Sequence, residues 1–405
     1  MTAAVFDWRM PVDVRFGAGC ADDVPYELGE RAAVVMAFEP ATALGWRDRW
    51  TKALGSRLRD WVEVPDGLSS VARCRELSGR VWSVLAEWPD TVLIGLGGGT
   101  TLDVAKVLRC RPVAVPGGLS DQLMGRGRPT HPAGFEPVAA ALRGQAPWPD
   151  LDLAPLWMVP TTAGTGSEVT RWATVWDTDT APAQKRSFDE PFGFAEKAFV
   201  DPLLTLSCPT QVTRDTGLDA LSHALEAMWN RHANPFSDVL AVSAAQKVLK
   251  WLPVALGDAG DVAAREALSL ASLQAGMAFS QTRTALAHAL SYAVTLEQGV
   301  PHGLACALWL PAAWGLAQGA DARVDHLLKQ VWAQQHDHDD SARLEGVARL
   351  RAWLATVGAP ADPAEVGVLD AQSRIQAAMS STRGRNFIAA TGCAGLQVQP
   401  VTSLR

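Results

Sequence analysis

Four side chains of metal-binding type stand out. Asp219 and His223 lie four apart in GLDALSHALEAMW, His288 follows in LAHALSY, and His302 in VPHGLA. On an α-helix a four-residue offset turns a side chain by only about 40°, so Asp219 and His223 share a face and both can grip one ion. A carboxylate with three imidazoles suits Fe(II) or Zn(II) and leaves a position for a substrate oxygen. A closed structural site more often uses cysteine thiolates. The pattern therefore points to a catalytic metal, with ordinary buried or surface histidines as the alternative.

Two glycine-rich loops carry a second kind of chemistry. TVLIGLGGGTTLDVAK runs from an apolar strand into Gly97, Gly98 and Gly99, then into a helix expected to open at Thr100 or Thr101. Such a turn sets bare backbone amides and a helix N-terminus against a pyrophosphate. It is neither G-x-G-x-x-G nor a P-loop, and a tight structural turn explains three glycines equally well. Asp103 and Lys106 weigh toward the phosphate reading, because lysine is scarce in this chain. The second loop, TTAGTGSEVT at 161–170, gathers hydroxyls and glycines after another apolar strand. Its other reading is a helix N-cap with a capping box closed by Glu168.

These loops need strands and helices to hold them. RAAVVMAFE, DTVLIGLGGG and LWMVP read as buried strands, and SSVARCRELSGRVWSVLAEW has helical spacing at Val71, Leu77, Val81 and Leu85. The alternation suggests an α/β layer. After about Pro209 the pattern turns to alanine- and leucine-rich helical segments, among them AVSAAQKVLKWL, AAREALSLASLQAGMAF and the stretch 342–357. A chain of 405 residues exceeds one comfortable core. The expected organisation is an α/β dinucleotide-binding domain at 1–208 and an all-helical metal and substrate domain at 209–405. The first metal pair falls just beyond that boundary, so a cleft between the domains is the expected place for the site. The Gly-, Pro- and Arg-rich stretch between Pro112 and Pro155 reads as an extended surface excursion.

Composition excludes several classes. A net charge of −7 without a basic tract gives no footprint for nucleic acid. No run of 18 apolar residues and no N-terminal apolar core argue against a membrane segment, so a cytoplasmic protein is expected. Six cysteines (Cys20, Cys74, Cys110, Cys208, Cys306, Cys393) are scattered without a C-x-x-C pair, which favours reduced thiols. Sixteen tryptophans against two tyrosines fit core or interface packing.

The stretches GGGTTLDVAK, TTAGTGSEVT, AFVDP, GLDALSHALEA and VPHGLA, in this order, resemble the signatures of the iron-containing (group III) alcohol dehydrogenase family. The resemblance implies the fold shared with dehydroquinate synthase, an α/β dinucleotide-binding domain followed by a helical domain. It also implies a bound Fe(II) or Zn(II), NAD(H) or NADP(H), a homodimer, and interconversion of an aldehyde and an alcohol. Carried over residue by residue, Asp219, His223, His288 and His302 match the metal ligands. Gly97, Gly98, Gly99, Thr100 and Asp103 match the pyrophosphate loop, and Thr161, Thr162 and Thr165 the second cofactor loop. Lys185, sixteen residues before Asp201, falls where the family has a cofactor-contacting lysine.

Two departures mark this chain. Tyr292 stands where many members have a second histidine four residues after the third ligand, often assigned to proton relay. Ala37 stands where NAD-preferring members often carry an aspartate for the ribose, which leaves the choice between NADH and NADPH open. TVWDTDTA, ALAHALSYAV and VPHGLACALWLP look most like the phosphonate-associated branch, implying reduction of phosphonoacetaldehyde to 2-hydroxyethylphosphonate. A dianionic head group needs cations. The candidates are Arg171, Arg186, Arg383, Arg385 and above all Arg283, with Trp172 lining the pocket. Arg283 points about 140° from His288 if one regular helix carries both; a break near Thr282–Thr284 would change that. The alternatives are a general short-chain or lactaldehyde-type dehydrogenase and a metal-dependent lyase of the dehydroquinate synthase kind. The lyase would typically have glutamate in place of Asp219.

Overall fold

The computed structural model describes residues 5–113, 134–181, 183–333 and 345–392. The chain forms two compact units. One comprises Pro11–Thr161 and Ser167–Leu204; the other comprises Thr205–Arg405 together with Met1–Met10 and Thr162–Gly166.

The α/β unit is built on a six-stranded sheet. Its strands are β1 (Asp13–Phe16), β2 (Ala33–Phe38), β3 (Leu58–Val64), β4 (Val92–Gly97), β7 (Leu156–Pro160) and β10 (Lys197–Val200), in the order β1-β10-β7-β4-β2-β3. All pairings are parallel. Val92, Leu93, Ile94 and Trp157 are fully buried. Strands covered on both faces read as unbroken apolar runs, which is why VLIGLG and LWMVP show no alternation. From β2 the chain moves outward to β3; from β4 it moves the other way to β7. The reversal places a topological switch point between β2 and β4, and the loop Gly97–Gly99 leaves the sheet at its carboxyl edge.

The stretch 112–155 differs from the expected surface excursion. Residues 114–133 lie outside the described residues. Beyond them, EPVAAAL forms the helix Glu136–Leu142 with Val138 and Ala139 fully buried. Strands β5 (Cys110–Pro112) and β6 (Leu151–Leu153) pair antiparallel. A small apolar helix needs a core to cover it, and part of this segment therefore turns inward. A second antiparallel pair, β8 (Trp172–Asp177) with β9 (Gln184–Asp189), follows the second glycine loop.

In the second unit the described elements are helices, with one antiparallel bridge between Asn230 and Phe387. Thr210–Met228, Pro235–Gly257 and Val262–Thr282 pack on one another. Pro235–Gly257 opens with a capping box between Asn234 and Ser237. It is long and apolar enough to cross a bilayer, but its place is that of a core helix. Val248 and Leu252 are fully buried, Asp238 pairs with Arg323 at 2.6 Å, and the Leu249 carbonyl accepts from Trp353 Nε1 at 2.8 Å. The stretch 342–357 yields the helix Gly346–Thr356, with 342–344 outside the described residues.

Candidate metal centre and cofactor loops

Helix Thr210–Met228 carries Asp219, His223 and Glu226 on one buried face, at offsets of four and seven residues. Asp219 Oδ1 lies 3.9 Å from His223 Nε2, 3.4 Å from His288 Nε2 and 3.8 Å from His302 Nε2. The His223 ring stacks on His288 at 4.6 Å, with Phe279 on its other flank at 4.0 Å. Three nitrogens from three helices thus converge on one carboxylate oxygen. His302 is the open member, its side chain 41% exposed.

The far ring nitrogens are held. His223 Nδ1 donates to the Gly164 carbonyl at 3.3 Å, and His288 Nδ1 to Glu226 Oε2 at 2.7 Å, which leaves both Nε2 atoms facing Asp219. Asp219 Oδ1 and His288 Nε2 are buried, and neither has a hydrogen-bond partner. Buried polar atoms are rarely left so, because each forfeits its hydration. A cation between them removes the penalty, and the residues present fit a divalent ion.

Burial would raise the Asp219 carboxyl, but His223, His288 and His302 outweigh it and hold it below the usual carboxylate range. Burial lowers His223 to about 4, keeping its imidazole neutral and ready to ligate. For His288 burial works downward too, yet Cys306, Glu226 and Asp219 raise it well above its ordinary value.

Close backbone approaches make this convergence feasible. A Cβ on Gly303 would meet the Asp215 carbonyl oxygen at 1.8 Å, so only glycine lets helix His302–Ala307 lie against helix Thr210–Met228. A Cβ on Gly164 would likewise meet the Thr216 Cβ at 2.6 Å, and the Gly164 carbonyl faces His223. Arg283 is not on the helix of His288. Helix Val262–Thr282 ends before it, Arg283 takes a left-handed φ of 70°, and the next helix starts at Leu286. Asn230 Nδ2 donates to the Arg283 carbonyl and Asn386 Nδ2 to that of Thr284, fixing the break at 3.0 and 2.9 Å. The regular helix considered from sequence is thus replaced by a pinned turn, with the Arg283 side chain exposed.

In the α/β unit, Gly98 rather than a threonine caps helix Gly99–Leu108, and it offers no side-chain cap. Thr100 turns its hydroxyl to the Gly67 carbonyl at 3.0 Å. A Cβ on Gly97 would meet Thr101 Oγ1 at 2.6 Å, so that glycine is demanded by packing. Thr161 is buried at the end of β7, its amide bonded to the Gly97 carbonyl at 3.0 Å; the two loops therefore leave adjacent strands. Thr162 and Thr165 belong to the other unit. Asp103 accepts from Ser167 Oγ and the Thr174 amide, both at 2.8 Å, and lies within electrostatic reach of Lys185. Lys106 is fully buried and donates to the Trp172 carbonyl at 2.6 Å; burial lowers it to about 8. Glu168 sits in the short turn Ser167–Val169, buried, and burial raises it to about 7. Ala37 is fully buried inside β2, so the carboxylate past that strand's end is the exposed Glu39.

Sequence comparison adds family evidence to this geometry. Residues 11–202 match the iron-containing alcohol dehydrogenase model, and residues 213–391 match the C-terminal model of the same family. The NAD-dependent methanol dehydrogenase of Bacillus methanolicus is 30% identical over 279 residues, 68% of this chain and 67% of that protein. The chain belongs to the iron-containing alcohol dehydrogenase family. The probable alcohol dehydrogenase EutG of Escherichia coli is 43% identical over 157 residues, a match that spans 39% of its length. The crystal structure of a sulfoacetaldehyde reductase from Bifidobacterium kashiwanohense, in complex with NAD+, shares the fold. Its TM-score is 0.77 at 23% identity, covering 96% of this chain and 98% of that one.

Within this family member the proposed substrate residues are dispersed. Arg171 Nε and Trp172 Nε1 both bond Asp189, at 2.8 and 2.7 Å. Arg186 pairs with Asp177 at 3.3 Å, and Arg385 is exposed. Tyr292 lies parallel to the His302 ring at 5.7 Å, and Arg383 lies over the Tyr292 ring at 5.0 Å. Two residues beside the cluster were missed. Glu226 lies seven residues after Asp219 and three after His223. Cys306 lies four after His302, with Sγ 3.7 Å from its Nε2. Helical spacing signals both, but Cys306 was hidden among six scattered cysteines.

Proposed function

We propose that this chain is a metal-dependent aldehyde reductase and alcohol dehydrogenase that uses a nicotinamide dinucleotide. The observation that carries the reading is the convergence of three imidazole nitrogens on Asp219 Oδ1, which is buried and otherwise without a partner. Asp219, His223, His288 and His302 would hold the ion, Fe(II) or Zn(II). When bound, the ion polarises the carbonyl oxygen as a Lewis acid, while the nicotinamide supplies or accepts the hydride. Glu226 and the Gly164 carbonyl keep the ligand imidazoles in the tautomer that presents Nε2. Tyr292, whose ring lies parallel to that of His302, is the candidate to carry the proton that an alcohol product needs. The bare amides at Gly98 and Gly99, at the sheet's switch point, suit the pyrophosphate. Thr100, Thr161, Thr162, Thr165, Asp103 and Lys185 complete the proposed cofactor set.

For the substrate we favour a small aldehyde with an anionic head, phosphonoacetaldehyde first. Arg383 supports this, since it lies over the Tyr292 ring, which itself stacks on that of His302. The sulfoacetaldehyde reductase named above acts on an aldehyde of the same shape and sign. A general short-chain alcohol dehydrogenase is the second reading, favoured by the uncharged substrate of the methanol dehydrogenase relative. A panel of phosphonoacetaldehyde, sulfoacetaldehyde, propanal and lactaldehyde on metal-reconstituted protein decides between them. We expect kcat/KM for phosphonoacetaldehyde at least about tenfold above propanal, the share of one charge-assisted contact. Equal values would remove the anionic substrate. Dialysis against a chelator should abolish turnover and added Fe(II) or Zn(II) restore it; full activity of metal-free protein would end the metal reading.

A further inference from the structure

Cys306 is fully buried on helix His302–Ala307, one turn after His302. Its Sγ lies 3.7 Å from His302 Nε2, and ligand atoms of Asp219, His288, His302 and Cys306 all lie within 4.8 Å of one another. Bonds of about 2.3 Å to sulfur and about 2.0 Å to nitrogen or oxygen set neighbouring ligand atoms of one four- to six-ligand shell at edges of roughly 2.8–3.6 Å. The observed separations of 3.4 Å (Asp219–His288), 3.8 Å (Asp219–His302) and 3.7 Å (His302–Cys306) come close to those edges.

We propose that Cys306 is a direct thiolate ligand of the ion held by Asp219, His288 and His302, so that sulfur joins His223 in the ligand set. The proposal rests on the metal site argued above. Binding the ion releases the thiol proton to solvent. A soft sulfur donor shifts preference from Fe(II) toward Zn(II) and Co(II), and a second anion beside Asp219 neutralises the divalent charge. The centre then binds its ion more tightly while polarising a carbonyl less.

The test is Co(II) loading of metal-free protein, followed by metal analysis and near-ultraviolet absorption. We expect one equivalent of Co(II), with a thiolate-to-cobalt charge-transfer band in the wild type and in Cys208→Ser. The band should be lost in Cys306→Ser while one equivalent still binds through the remaining ligands. Stoichiometric binding without the band in the wild type, or a band that survives in Cys306→Ser, overturns the thiolate and leaves the metal site standing. Failure of the wild type to bind Co(II) overturns both. Should Cys306→Ser not fold, X-ray absorption of zinc-loaded wild type decides. A sulfur scatterer at about 2.3 Å supports the proposal, and a shell of nitrogen and oxygen alone rejects it.

Discussion

Glu226 shows how one side chain can serve a helix end and a proposed metal ligand together. Its carboxylate accepts from the backbone amides of Ala285, Ala287 and His288 and from His288 Nδ1. It therefore satisfies the open N-terminus of helix Leu286–Gln298, where the dipole favours negative charge, and orients an imidazole in the same stroke. Glu226→Ala leaves those donors buried and unpaired. We expect a loss of roughly 2–4 kcal/mol in denaturant unfolding and metal affinity down about 10- to 100-fold; Glu226→Gln should retain more of both. Glu168 makes a pH-dependent contribution. Its carboxyl is raised from 4.5 to about 7 by burial, so between those values the folded chain keeps a proton that the unfolded chain has lost. The associated stability is complete below pH 4.5 and is lost as pH rises through 7. Unfolding of wild type at pH 5 and pH 8, set against Glu168→Gln, should show roughly 2–3 kcal/mol more decline in the wild type. Parallel pH profiles would exclude that role.

Among the elements, two short features assemble the cluster: the break at 283–285 and the contact at Gly303. The offset of Asp219 and His223 lies within one helix, so it was legible from spacing. The break was only a contingency in the sequence, because it depends on Asn230 and Asn386 reaching in from distant segments. The Gly303 contact had no local signal, since Asp215 is its partner. Gly303→Ala forces backbone apart from backbone, and we expect a loss of about 2–4 kcal/mol. His302 should leave the cluster with it. Metal stoichiometry would then fall below one equivalent under conditions where the folded fraction, by circular dichroism, is unchanged. Tight wild-type stoichiometry in that variant would show the approach to be dispensable.

On the scale of the whole molecule, the parallel sheet and its reversal between β2 and β4 bring Glu39 and the glycine loop to the same edge of the α/β unit. A carboxylate beyond β2 suits a free ribose 2′-hydroxyl and repels a 2′-phosphate. We expect NADH to exceed NADPH in kcat/KM, and Glu39→Ser to narrow the ratio by about tenfold, as one screened charge contact would. A ratio unchanged in Glu39→Ser would take this residue out of cofactor choice. Tryptophan usage also resolves at this scale. Trp50, Trp82, Trp157, Trp229, Trp309 and Trp314 are almost fully buried, so they fill the cores of both units.

Periodicity and residue type by themselves determined the α/β and helical halves, the two glycine loops and the pairing of Asp219 with His223, because each is a local pattern along one or two elements. Residue type also singled out His288 and His302, and the ordered motifs added the family. The position of Arg383 over the Tyr292 ring was decided only by the folded chain. So was the pairing of Arg171 and Trp172 with Asp189. Each depends on which distant segment packs alongside, and hydrophobic burial sets that packing without leaving a mark in local spacing.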